Sequence, residues 1–154
     1  MKKTVVFLAL TCLVGTAFAK NPPKAVLEAA RSVVPENAKY GNFKQDNGHF
    51  EITFLDTDKT KYEVEVNSPA NEVLKIEVDR IARSESANVV LTQENIQSLI
   101  EQKFPNASNI FIKLDDEDGN FHKYEVEFTT DLFKAEININ PETGAFGDEE
   151  YEYF

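Results

Sequence analysis

Tyr124-Glu125-Val126-Glu127-Phe128 restates Tyr62-Glu63-Val64-Glu65-Val66, sixty-two positions upstream, with the same alternation of apolar and charged residues. Successive side chains of a strand point to opposite faces, so each stretch reads as a strand with one dry and one wet face. A recurring strand implies a recurring unit. The expected fold class is α+β: two repeats, each one helix packed on a three- to four-stranded antiparallel sheet.

Working outward, the first repeat is placed at 20–80 and the second at 92–146, with a polar connector at 81–91 and an acidic, aromatic tail at 147–154. The first repeat opens with Asn21-Pro22-Pro23, a capping and first-turn signature. Val26, Leu27, Ala30, Val33 and Val34 then recur at helical spacing until Pro35. Alternating runs follow at Tyr40 to Lys44, His49 to Leu55, Lys61 to Val66 and Val73 to Asp79, separated by turn-forming Asn, Asp, Gly and Pro. Phe50, Ile52, Phe54, Tyr62, Val64, Val66, Leu74, Ile76 and Val78 make the expected dry set. The second repeat starts at Thr92, an N-cap residue, and its helix presents Ile96, Leu99, Ile100 and Phe104 before Pro105. Strands are expected at Asn109 to Leu114, Phe121 to Thr129 and Leu132 to Asn140. Whether the two sheets join edge to edge or stay as separate lobes is left open by the pattern.

Residues 1–19 have the layout of a secretory signal: Lys2 and Lys3, an apolar run from Thr4 to Val14, and Ala17-Phe18-Ala19 as a small-x-small cleavage site. The run is shorter than the ~20 residues a spanning helix needs. The expectation is an exported protein, periplasmic or secreted, with no stable membrane insertion after cleavage. Acylation at Cys12 fits poorly, because Ala9-Leu10-Thr11 puts no small residue directly before the cysteine. Cys12 is the single cysteine, so beyond residue 19 no disulfide or thiol chemistry is available.

The formal net charge is −11, and loss of Lys2 and Lys3 makes it more negative. Nucleic acid and anionic membrane are disfavoured as partners, since both would be repelled.

The helix ending near a proline, the Gly-containing hairpin, the Tyr-x-Val-x strand and the close in Asn140-Pro141-Glu142-Thr143-Gly144 together resemble the PepSY domain over roughly 92–146. The segment 22–79 is similar to the PepSY-like repeats grouped with beta-lactamase-inhibitor-like proteins, but Asp79-Arg80-Ile81 stands where the Thr-Gly turn would be. The resemblance implies an exported, non-catalytic module that binds peptides or proteins, with a peptidase or other envelope enzyme as a target to inhibit or regulate. It supplies no functional residue to carry over.

The residues themselves show no catalytic motif. There is no Gly-rich phosphate loop and no nucleophile motif. With Gly119 at position six of a calcium loop, Leu114 falls at position one, where an oxygen ligand is required, so Asp115 to Asp118 reads as a solvated turn. His49 and His122 have no cysteine and no patterned acid beside them for zinc. The aromatic C-terminus is superficially like that of outer-membrane barrels, but the strands are short and charged on their outer side. The expectations are therefore no enzyme activity, no cofactor and no metal. Glu51, Glu63, Glu65, Lys75, Glu77, Glu125, Glu127, Lys134 and Glu136 lie on the wet strand faces, where a basic peptide or protein would dock. The second reading is an envelope structural or accessory protein assembling through sheet edges.

Overall fold

The structure is a computed structural model that describes residues 21–117 and 119–154. The signal reading of 1–19 lies outside the described residues. The chain runs α1 (Lys24–Arg31), β1 (Lys39–Asp46), β2 (His49–Leu55), β3 (Lys61–Asn67), β4 (Glu72–Asp79), α2 (Gln93–Lys103), β5 (Ser108–Glu117), β6 (Phe121–Thr129), β7 (Phe133–Ile139) and β8 (Phe146–Tyr153).

Local chemistry sets the helices. Pro23 stands at the N-cap of α1, whose buried residues are Val26 and Ala30. The helix stops at Arg31, short of Val33 and Val34, because the Ser32 hydroxyl and amide both bond back onto Ala29 O and close the last turn. Thr92 caps α2: its hydroxyl accepts from the Asn95 amide at 3.3 Å, and Asn95 Oδ1 accepts from the Thr92 amide at 2.9 Å. Two donors left over at the helix start are thereby satisfied reciprocally.

The strands form one antiparallel sheet of eight, in the order β1-β2-β3-β4-β8-β7-β6-β5. This corrects the expectation of two repeats, each with a helix on its own three- to four-stranded sheet. The two halves meet where β8 pairs with β4, through Lys75 with Glu152, Ile76 with Tyr151, Glu77 with Glu150 and Val78 with Glu149. On its other side β8 pairs with β7. The stretch expected to be a tail is therefore an interior strand.

The echo that suggested the repeat is also out of phase. Tyr62 to Val66 lies in β3, the third strand after α1, whereas Tyr124 to Phe128 lies in β6, the second strand after α2. Alternation reports which face a side chain occupies and not which strand it belongs to. Half-buried strands of one sheet can therefore write the same pattern without being copies of one unit.

Both helices lie on the same face. α1 covers Phe50, Ile52, Phe54, Tyr62, Val64, Val66, Ile76 and Val78, and α2 covers Tyr124, Val126, Phe128, Ala135, Ile137 and Ile139. Tyr151 of β8 packs against both clusters. Next to it in the dry row stands Glu149, a carboxylate only 4% exposed. Arg80 Nε donates to Glu149 Oε1 at 2.6 Å, the Tyr151 hydroxyl donates to Oε2, and Lys103 Nζ lies 3.8 Å from Oε2. A buried charge persists only with partners of this kind.

Burial pushes the Tyr151 phenol well above its ordinary value of 10.0, and the Glu149 charge and hydrogen bond add to the shift. A raised folded-state pKa means that stability is fully present below pH 10 and is lost as pH rises further, because only the unfolded chain then ionises. Urea melts are expected to show a decline in stability above about pH 10, and Tyr151→Phe is expected to flatten part of it. An unchanged decline in Tyr151→Phe would contradict this.

The connector is bound to the sheet. Ser86 and His122 exchange backbone hydrogen bonds at 2.9 and 2.8 Å. The Asn140 side chain donates to Arg83 O and Glu85 O, both at 3.0 Å, and accepts from the Glu142 and Thr143 amides. Gly147 of β8 lies under Ser84, where an added Cβ would meet Ser84 Cβ at 2.4 Å. Gly147→Ala is therefore expected to cost about 1–3 kcal/mol by overpacking, read as a lower urea midpoint. Full stability of that variant would contradict the close docking of the connector on β8.

Candidate functional site

With the helices on one face, the opposite face is open, and cross-strand register orders its side chains into rows. Asn42, Thr53, Glu63, Glu77, Glu150, Glu136, Glu127 and Phe111 align into one row that crosses all eight strands. Five neighbours in it, from Glu63 to Glu127, are glutamates on five adjacent strands. Strands lie ~4.8 Å apart, so these carboxylates extend over about 19 Å. Like charges placed directly opposite are destabilising, on the scale of roughly 0.2–1 kcal/mol for a cross-strand pair.

A second row, beside the first, holds Lys44, Glu51, Glu65, Lys75, Glu152 and Lys134 in register. Its lysines and glutamates balance, so of the two rows the glutamate row carries the negative excess. Lysines at the margins bridge pairs of acids. Lys75 reaches Glu77 at 2.8 Å and Glu150 at 2.9 Å, Lys134 reaches Glu136 at 2.8 Å and Glu127 at 3.3 Å, and Lys61 reaches Asp79 at 2.7 Å and Glu63 at 2.9 Å. Hydrogen bonds to these carboxylates raise all three lysines above their ordinary 10.5. They stay cationic, yet three of them serve five row glutamates and Asp79.

The face is concave where β4, β8, β7 and β6 meet. A hollow of about 400 Å³ there is lined by Glu77, Asp79, Glu125, Glu127, Glu136, Asp148 and Glu150, and its described lining includes no lysine or arginine. Within hollow and rows together, carboxylates outnumber cations.

The structure gathers the residues singled out in the sequence onto this one face. Glu63, Glu77, Glu127 and Glu136 are in the glutamate row, Glu51, Glu65, Lys75 and Lys134 in the row beside it, and Glu125 lines the hollow. Sequence reasoning missed Glu150, the centre of the row, together with Asp148 and Glu152. The signal was the spacing of three acids at every second position of β8. Glu149, a further acid between them, hid it.

Phe111 was also missed. It ends the glutamate row on edge strand β5 and is 59% exposed.

The other candidates are accounted for locally. Asp115 accepts from Lys113 at 2.8 Å, which holds its carboxyl below the usual range. His122 pairs with Asp116, and His49 with Glu65 at 2.7 Å. Asp118 lies outside the described residues. Among the described residues, no group of three or more His, Cys, Asp or Glu is placed to hold a metal ion, and no helix is long and apolar enough to cross a membrane.

Comparison with family models, with curated proteins and with solved structures found no match.

Proposed function

We propose that this chain is an exported, non-catalytic, PepSY-like binding protein that takes a basic peptide or protein on the wet face of its sheet. The observation that carries the reading is the run of five glutamates opposite one another across β3, β4, β8, β7 and β6. Solvation alone requires polar side chains on that face. It does not require like charges in register, which repel on the scale of roughly 0.2–1 kcal/mol for a cross-strand pair and are bridged by surface lysines worth about 0–1 kcal/mol per pair. An arrangement that sets like charges opposite one another and concentrates one sign of charge in a hollow favours a partner of the opposite sign. Phe111 supplies an apolar anchor at the end of the row. The resemblance of 92–146 to PepSY domains agrees with a binding role, and an envelope enzyme such as a peptidase is the class of target it implies.

Assembly through strand edges is the less favoured reading. The edges are β1 and β5, and both carry irregular register, between Tyr40 and Asn42 and between Ser108 and Phe111. Bulges and charged side chains on edge strands work against pairing with another sheet.

The test is titration of the protein with lysine- and arginine-rich peptides, neutral peptides and acidic peptides over a range of ionic strength. Basic peptides are expected to bind, with affinity falling steadily as salt rises. Equal binding of the acidic series, or no binding of basic peptides at low salt, would overturn the proposal.

A further inference from the structure

On the helix-bearing face, α1 packs on β2, β3 and β4, while α2 lies over β5, β6 and β7. Between them a groove of about 290 Å³ runs over the centre of the sheet, where β4, β8 and β7 form the floor. Its walls are aromatic and aliphatic, with Tyr62 on one side and Phe133 and Tyr153 on the other. Glu149 stands on the floor, Arg80 follows the end of β4, and Lys103 enters from the last turn of α2. A small, mostly apolar hollow with a few convergent polar groups is the usual form of a small-molecule site.

The charges specify the ligand. Two cations face one carboxylate, so the groove holds an excess of one positive charge in a chain of net charge −11. Glu149 is already engaged by Arg80 Nε at 2.6 Å and by the Tyr151 hydroxyl. Lys103 is held more loosely: its ammonium lies 3.8 Å from Glu149, beyond hydrogen-bond reach, and 3.9 Å from the centre of the Phe146 ring. Burial lowers its pKa, and a bound carboxylate would relieve that penalty.

We propose that this groove is a second binding site, for a small aryl carboxylate: the carboxylate pairs with Lys103, and the ring lies among Tyr62, Phe133 and Tyr153. The site is on the face opposite the glutamate row and does not depend on the basic-partner reading. The two also differ in salt response. The aryl anion must approach through the repulsive field of an acidic protein, so rising salt does not weaken its binding in the way it weakens capture of a polycation.

The test uses the full chain and three probes of one shape, 2-naphthoate, 2-naphthylmethanol and 2-naphthylmethylammonium, followed by amide and side-chain NMR shifts. Naphthoate is expected to give saturable shifts at Lys103, Phe133 and Tyr153, with the alcohol at least tenfold weaker and the ammonium weaker still. Lys103→Met is expected to lose at least tenfold in naphthoate affinity while keeping its melting transition, and Lys103→Arg to retain binding. Absence of saturable shifts in the groove, equal binding of the three probes, or full binding by a folded Lys103→Met would overturn the proposal. A Lys103→Met chain that fails to fold shifts the decision to Lys103→Arg and the probe series, in which loss of charge discrimination is the overturning result.

Discussion

A chain truncated after Ala145 is expected to show no cooperative unfolding transition. The truncation removes β8, which hydrogen-bonds to β4 on one side and β7 on the other. What remains is a four-stranded piece and a three-stranded piece, each with a raw interior edge. Phe146, Tyr151 and Tyr153 leave the cores they pack against. A large apolar side chain contributes about 1.5–3 kcal/mol when fully buried and less for these three, which are partly buried; together with the ladder bonds lost on both sides of β8, the loss is a large part of the ~5–15 kcal/mol by which a domain is stable at all. Arg80 and Lys103 would also lose Glu149. The measurement is a urea titration followed by far-UV circular dichroism. A truncated chain that melts close to the full-length protein would show that 146–154 is dispensable to the sheet.

The second large effect is an asymmetry at the buried ion pair. Arg80→Met strands Glu149, whose side chain is only 2% exposed, whereas Glu149→Met strands Arg80, whose side chain is 30% exposed and can turn toward water. Removing one partner of a buried pair costs roughly 3–5 kcal/mol, and replacing the buried charge itself by an apolar group of similar volume is often near neutral. Lys103 and the Tyr151 hydroxyl still face Glu149 when Arg80 is gone, which sets the expected cost of Arg80→Met near the lower end, about 3 kcal/mol. Glu149→Met is expected to cost markedly less. Urea midpoints of the two variants decide the matter, and equal losses would contradict the burial argument.

These two expectations turn on β8, which is the part of the fold the sequence concealed. Phe50-x-Ile52-x-Phe54 and Tyr124-x-Val126-x-Phe128 are legible as strands because each dry-face position is apolar. In β8 the corresponding positions include Gly147, chosen for the closeness of Ser84, and Glu149, chosen for Arg80 and Lys103. A register shift opposite Ile137 and Ile139 breaks the period further. Each departure answers a tertiary contact that no local pattern contains, so an interior strand looked like an acidic tail. Losing β8 also concealed the single sheet, because β4 then had no partner on its far side.

The candidate face was legible in part for the same reason. Alternation assigns Glu63, Glu77, Glu127 and Glu136 to a wet face, but their alignment depends on which residues stand opposite, and register is a property of the paired strands. Without Glu150 between Glu77 and Glu136 there was no row to see. The aromatic groove on the other face was further from reach, since it forms only once β4 and β8 are neighbours.

The most direct measurement of the central claim pairs binding with stability in one variant, Glu77→Gln with Glu136→Gln and Glu150→Gln. Removing three like charges from the row relieves cross-strand repulsion while giving up surface lysine pairs, so stability is expected to hold within about 1 kcal/mol or to rise. Affinity for a lysine- and arginine-rich peptide at low salt is expected to fall at least tenfold, and most of its salt dependence is expected to vanish. A folded variant that binds the basic peptide as tightly as the parent chain, with the same salt dependence, would contradict the assignment of the glutamate row as the binding face.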